Sequence, residues 1–459
     1  LVWDSTGDKL LNGTYYFRQV IWSVAGGDEY ALYGTVTFSG SGTYTMSATE
    51  LDAGAGSAGS GTVSGTYAIG AGGFGYLSSP LSTGVQVRGM VSNGVFIGSS
   101  TESGYNDLFI AALIPTATPT LSSFNGSYAM SYINFPSPVN GDLYDASFTL
   151  TPNGAGTIGT VNATGYYLGQ GAAVTSATTQ SASGVKYTAS NGAVVITFPT
   201  FNTKSPQNTA LLSGQEYLYF SPDGNFVFGG SPGQADMFVG VKTGSSPTLG
   251  ASLYYDAGVF GEATAGDLDS YYGSLTVNGG GVVEHSRIYS YGYGNSFDSV
   301  TTGTAPTTPG ATYSDPFYNY TIGSGGLYRI GFGLAETPGI DVALAAPTFT
   351  GTGVYLNPTG VVNAASYAPF TAGLSPGELL VLTGTGLASN ASIGAADIAT
   401  TSQFPVTLNG VQVYIDGIAA PLYYVSSTQI AAIVPFAASQ YSFATIQVKN
   451  NGVNSNIIT

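Results

Sequence analysis

The chain has 459 residues, enough for three or four domains that each bury a core. Charged residues make up 7% of it, against roughly 25% in an ordinary soluble domain, and the net charge is −16. No basic stripe exists to displace phosphate counterions, which argues against nucleic acid as a partner; the absence of cysteine removes disulfides and thiolate metal sites.

The segment 34–45 sets the idiom of the chain. Val36 and Phe38 alternate with threonine, a Gly/Ser turn follows, and Tyr44 begins a return strand, which is a hairpin pattern. It recurs at 146–157 around Phe148 and Leu150, and at 273–282 around Leu275 and Val277. Such spacing predicts three tandem β repeats, at 1–115, 120–243 and 249–357.

In the first repeat the strands open at Leu11-Asn12-Gly13-Thr14-Tyr15 and end at Asn93-Gly94-Val95-Phe96 and Asn106-Asp107-Leu108-Phe109. Pro115 to Thr120 reads as a stiff linker, because its two prolines cannot donate to a ladder. The second repeat keeps that order through Phe124-Asn125-Gly126-Ser127-Tyr128, Asn225-Phe226-Val227-Phe228 and Ala235-Asp236-Met237-Phe238, with a further linker from Lys242 to Thr248. The third is more divergent, retaining Leu249 to Tyr255, the hairpin at Gly273 and Tyr318-Asn319-Tyr320-Thr321-Ile322. Helical periodicity is nearly absent. The fold class expected is all-β, with β-barrel or β-sandwich repeats, the barrel being favoured by Gly-rich alternation. No 18-residue apolar run is present, so no transmembrane helix is expected, and steady lipid-facing strands are also missing. Leu1 is not an initiator Met, which predicts a processed or trimmed chain.

From Gly360 the idiom changes. Ser375-Pro376-Gly377-Glu378 leads into Leu379 to Leu382 and Thr383-Gly384-Thr385-Gly386, followed by Val411 to Gly417, Ala420 to Val425, Ile433-Val434-Pro435 and Ala444 to Val448. This order resembles immunoglobulin-like domains of the TIG/IPT type. More narrowly, Gly360-Val361-Val362-Asn363-Ala364-Ala365-Ser366-Tyr367 is similar to the start of an uncharacterised C-terminal domain family of secreted acidobacterial proteins. The resemblance covers residues 360–459 and implies an Ig-like sandwich on a secreted or surface protein, with no activity attached.

Candidate chemistry is sparse. Gly-x-Ser-x-Gly occurs at 229–233 and 373–377, but proline follows the serine in both, so the N–H that an oxyanion hole needs is missing. Gly-x-Gly-x-x-Gly occurs at Gly54, Gly70 and Gly154, where strands rather than helices are expected to follow. His285 is the sole histidine, which excludes a His pair; beside Glu284 and Arg287 it reads as a strand-face residue. Asp256, Glu262, Asp267 and Asp269 offer oxygens for calcium but lack a loop spacing, and are expected to form a solvated acidic loop. Tyr289, Tyr291 and Tyr293 suit stacking on a glycan, although Trp3 and Trp22 are the only tryptophans.

The expected function is therefore a non-enzymatic extracellular structural protein, a homo-oligomer or polymer needing no cofactor or metal. Its copies would join by strand pairing into a surface filament or layer. A glycan-binding adhesin and a secreted hydrolase rank behind it. The expected assembly residues are Leu1, Val2 and Trp3 at one end and Ile457 and Ile458 at the other, where a short edge strand would leave ladder groups unpaired.

Overall fold

The computed structural model describes residues 3–458 apart from 23–28, 53–55, 137–142, 170–171, 174–175, 200–209, 245–247, 251–252, 263–266, 279–280, 305–311, 348–351, 370–371, 390–393, 395–402 and 439–443. It is all-β, with 64% of residues in strands and 4% in helix, as the strand-and-turn pattern requires. Turns of one chemistry recur. Asn93-Gly94, Asn191-Gly192, Asp416-Gly417 and Asn451-Gly452 each join two strands with both residues at positive φ. That is the two-residue hairpin turn whose twist matches antiparallel strands, and it tolerates only Asn, Asp or Gly cheaply.

The first sheet is a closed barrel of eight strands: Asn12–Trp22, Glu29–Ser39, Thr43–Asp52, Ser57–Ile69, Phe74–Ser78, Gln86–Ser92, Val95–Ser99 and Asn106–Leu113. Its first and last strands pair from Tyr15↔Leu113 to Trp22↔Asn106. Aromatic rings pack in it, with Phe17 stacked on Phe109 at 5.5 Å and Tyr15 edge-on to Phe38 at 5.1 Å. Each such ring, once buried, contributes about 1.5–3 kcal/mol.

The second sheet closes likewise through Ser127–Phe135, Leu143–Leu150, Thr157–Gly165, Thr178–Ser190, Ala193–Phe198, Gly214–Phe220, Phe226–Gly230 and Ala235–Thr243. A short hairpin, Tyr167–Gly169 with Ala172–Ala173, extends from its second strand.

The third sheet has eight strands but does not close. Its spatial order is Asn295–Thr304, Gly281–Ser290, Asp267–Asn278, Leu253–Glu262, Gly339–Ala345, Tyr328–Gly333, Tyr318–Ile322 and Thr312–Ser314. The outer strands have ten and three residues, and no ladder joins them among the described residues. Three residues cannot complete a ten-residue ladder, and Pro306 and Pro309 between these strands carry no N–H to donate. The barrel expectation thus holds for two repeats, and the third is an open, curled sheet.

By compactness the chain divides into residues 12–66 with 76–345, and residues 1–11 with 67–75 and 346–459. Within the first of these units the three sheets contact one another in a cyclic order. The first strand of the first barrel meets the second barrel: Arg18 Nε donates to the Asp236 carbonyl on its last strand at 2.7 Å, and Tyr16 stacks on Tyr219 of Gly214–Phe220 at 4.3 Å. The second barrel meets the third sheet where the Gly339 N–H donates to Asp145 Oδ2 at 2.9 Å and Phe226 stacks on Tyr328 at 5.4 Å. The third sheet returns to the first barrel, with Asn106 Nδ2 donating to the Leu268 carbonyl at 2.6 Å. Every pair therefore brings a last strand of one repeat to an early strand of the next, a head-to-tail contact that closes on itself.

In the second unit, two four-stranded sheets share a core. One contains Tyr355–Asn363, Leu379–Thr385, Gln429–Ile433 and Leu422–Val425; the other contains Ile418–Ala419, Val411–Ile415, Ile446–Asn450 and Val453–Ile458. Leu356, Leu380, Leu382, Val413, Val448 and Ile458 meet between them, a β-sandwich arrangement. Residues 3–11 lie along 67–75, where Asp8 Oδ1 accepts the Ile69 N–H at 2.7 Å.

Candidate functional site

One position is repeated in all three sheets and is charged each time. Asp107, Asp236 and Asp341 sit near the start of the last strand of their repeats, paired with Ile21, Asn134 and Gly258 respectively, and all three are fully buried. Two residues before each pairing partner stands a side chain on the same face of the neighbouring strand: Gln19, Tyr132 and Asp256. In the first two repeats it supplies a donor, Gln19 Nε2 to Asp107 at 2.7 Å and the Tyr132 hydroxyl to Asp236 at 3.1 Å. In the third repeat it is another carboxylate.

The first two aspartates secure turns. Asp107 accepts the Ser100 N–H and the Ser99 and Ser100 hydroxyls, and Ser99 reaches Ser270 of the third sheet at 3.2 Å. Burial nevertheless lifts the Asp107 carboxyl to about 6, because desolvation outweighs the donated hydrogen bonds. Asp236 accepts the Ser231 N–H and is ion-paired with Arg18, whose guanidinium also donates to the Ser231 and Gln234 carbonyls at 2.9 Å. Its carboxyl also rises to about 6, burial prevailing over Arg18.

In the third repeat the surroundings become ionic. Arg329 is fully buried and forks, donating to Asp341 at 2.7 Å, to Glu284 at 3.2 Å and to the Tyr313 hydroxyl, also at 2.7 Å. Its guanidinium lies over the Tyr320 ring at 4.0 Å, a cation–π contact. The Tyr271 hydroxyl donates to the other oxygen of Asp341 at 2.9 Å. Asp256, Glu284 and Asp341 bring carboxylate oxygens within 4.8 Å of one another, and neither oxygen of Asp256 has a hydrogen-bond donor among the described residues. Burial and the negative charges of Glu284 and Asp341 hold the Asp256 carboxyl well above the ordinary range. Asp341 is lifted to about 7, again by burial, with Arg329 opposing.

Asp256 and Asp269 are therefore not part of a solvated loop. Asp256 and Asp269 are fully buried on strands, Asp269 accepting the Tyr291 N–H at 3.2 Å; Glu262 is half-buried, and the Asp267 side chain lies outside the described residues. Strand alternation turns Asp256 inward, where it meets partners from distant strands instead of its sequence neighbours. The signal that could have found the site is a charged residue inside an apolar strand, repeated as Asp107 and Asp236, in a chain with so few charges.

His285 is buried on its strand, and burial lowers its pKa below the ordinary imidazole value. Arg287 bonds Glu102 at 3.1 Å and Asp298 at 3.2 Å. Both Ser-Pro-Gly segments are turns: the Ser231 hydroxyl accepts the Gly233 N–H at 3.3 Å, and the Glu378 N–H donates to the Ser375 carbonyl at 3.0 Å. Strands 74–78 and 157–165 follow the glycine triplets at Gly70 and Gly154, while Gly54 lies outside the described residues. Tyr289 is buried and Tyr293 is exposed, so the tyrosine run does not present one flat stacking face.

Of the expected assembly residues, Leu1 and Val2 lie outside the described residues, and Trp3 is half-buried, 6.3 Å from the Phe74 ring. Ile458 is buried in the sandwich core and pairs with Ile446; Ile457, 39% exposed, pairs with Gln447. The last strand is thus laddered on one side, and on the other Asn456 donates to the Leu356 carbonyl at 3.0 Å and accepts its N–H at 2.8 Å.

The architecture defines an all-β protein of two barrels, an open barrel-like sheet and a β-sandwich. No family model matches the chain, and no curated protein matches it. Among the described residues no helix is long and apolar enough to cross a membrane.

Proposed function

We propose that this chain is a non-enzymatic structural protein of the cell exterior, whose copies associate by strand pairing into a filament or layer. The open edge of the third sheet is the observation that carries this reading. Strand Asn295–Thr304 pairs with Gly281–Ser290 along its whole length, and among the described residues no ladder joins its other side to a strand, although the three-residue strand Thr312–Ser314 lies beside part of it. Phe297 is 40% exposed and Val300 59%, on an edge with little charge to repel a second chain. An extended segment of another copy adds there as a further strand, the main chain supplying the bonds.

Placing lysines at Phe297 and Val300 is expected to raise the concentration for half-association by at least about tenfold, or about 1.4 kcal/mol. Ile457→Lys, on the terminal strand, is expected to leave it unchanged. Sedimentation velocity over a concentration series reads both. A wild-type chain that stays monomeric throughout, or a double variant that associates like the wild type, rules the reading out.

A further inference from the structure

We propose that Asp256, Glu284 and Asp341 form a buried binding site for a hard divalent cation of the calcium type. The proposal is independent of how copies of the chain associate. Three observations carry it. The carboxylate oxygens lie within 4.8 Å of one another, a spacing that one oxygen-coordinated ion spans. Both oxygens of Asp256, which is fully buried, lack a donor among the described residues. Finally, the place taken by Asp256 holds neutral donors in the other two repeats, where Gln19 and Tyr132 each satisfy the neighbouring aspartate.

Charge balance points the same way. When all three carboxylates are ionised, the single guanidinium of Arg329 leaves two negative charges over, which a divalent cation cancels. Arg329 uses one oxygen each of Asp341 and Glu284, and Tyr271 uses the other oxygen of Asp341. The Asp256 carboxylate is left as the principal ligand, with the remaining Glu284 oxygen, which accepts only a long 3.5 Å contact from the Ser286 hydroxyl, beside it. The curled sheet brings Glu284, near one outer strand, and Tyr313, on the other, to the same arginine, and among the described residues no ladder joins those outer strands.

The test uses the full chain at pH 7.5, first freed of metal by chelation. Calcium at millimolar concentration is expected to raise the thermal midpoint by about 3–5 °C, by mass action on the folded state. Terbium is expected to bind once per chain, with emission sensitised by Tyr271, Tyr318 and Tyr320, and calcium should displace it. Asp256→Asn should weaken that emission by at least about tenfold, whereas Glu262→Gln, outside the cluster, should not. An unchanged wild-type midpoint with calcium overturns the proposal whether or not the variant folds. So does terbium emission that survives Asp256→Asn, because the ion then sits elsewhere. A metal-insensitive wild type that Asp256→Asn stabilises would show that Asp256 and Glu284 share a proton and bind no ion, and this too overturns it.

Discussion

Arg329→Met is expected to lower stability by about 3–5 kcal/mol, among the largest effects of any single substitution in the chain. The side chain is wholly buried and donates to three groups, Asp341, Glu284 and Tyr313, drawn from three different strands. Methionine fills much of the volume but leaves two carboxylates in the core without a counter-charge. The folded state must then protonate them or admit water. Arg329→Lys keeps the charge yet cannot fork between Asp341 and Glu284, so it should fall between wild type and methionine. Chemical denaturation with the slope held in view checks this, since a change in slope would mean the denatured state had moved. A loss below about 1 kcal/mol for methionine would mean that the acids already neutralise one another without the arginine.

Much of the fold was legible because hairpin chemistry is local. The Thr37↔Thr45 and Phe38↔Tyr44 pairs follow from alternation around a Gly-Ser-Gly turn, in which Gly40 and Gly42 take φ of +72° and +91°. The sandwich strands at 379–385, 411–415 and 446–450 follow from apolar runs between Asx-Gly and Pro-Gly turns. What escaped is long-range. Arg18 meets Asp236 across 218 residues, and Asp256, Glu284 and Asp341 come from three strands that periodicity alone cannot order. An acid facing inward from a strand looks like a turn acid until its partners are known, so Asp256 was grouped with its sequence neighbours. The open third sheet was equally hidden: the missing ladder is a property of two outer strands, and each reads as an ordinary strand by itself.

Stability is expected to rise as the pH falls from about 6 towards 4, the reverse of proteins held together by surface ion pairs. Asp107 carries the argument, because the groups that contact it (Gln19, Ser99 and Ser100) are uncharged. Its carboxyl is raised from 3.8 to about 6 by burial. The folded chain therefore keeps a proton through the range in which the unfolded chain has released it, and stability falls as pH rises between those values. The stabilisation from this group is complete below the unfolded pKa and is gone once pH passes the folded one. A carboxyl moved that far costs on the order of 3 kcal/mol at neutral pH relative to its protonated form. Asp236, lifted to about 6 by burial against the pull of Arg18, acts in the same direction. Relief of the net −16 also favours the compact state on acidification, so the wild-type slope alone does not isolate the buried group. Asp107→Asn does. It removes the titration but leaves nearly all of the global charge, and the difference in unfolding free energy between variant and wild type should change with pH only between about 4 and 6. The variant is less stable than wild type at pH 4, where its amide N–H₂ replaces a carboxyl oxygen that accepts a donor, such as the one facing Gln19 Nε2, and it regains ground as the pH rises. Parallel curves for the two proteins across that window would show that Asp107 stays ionised in the fold, its donors having outweighed its burial.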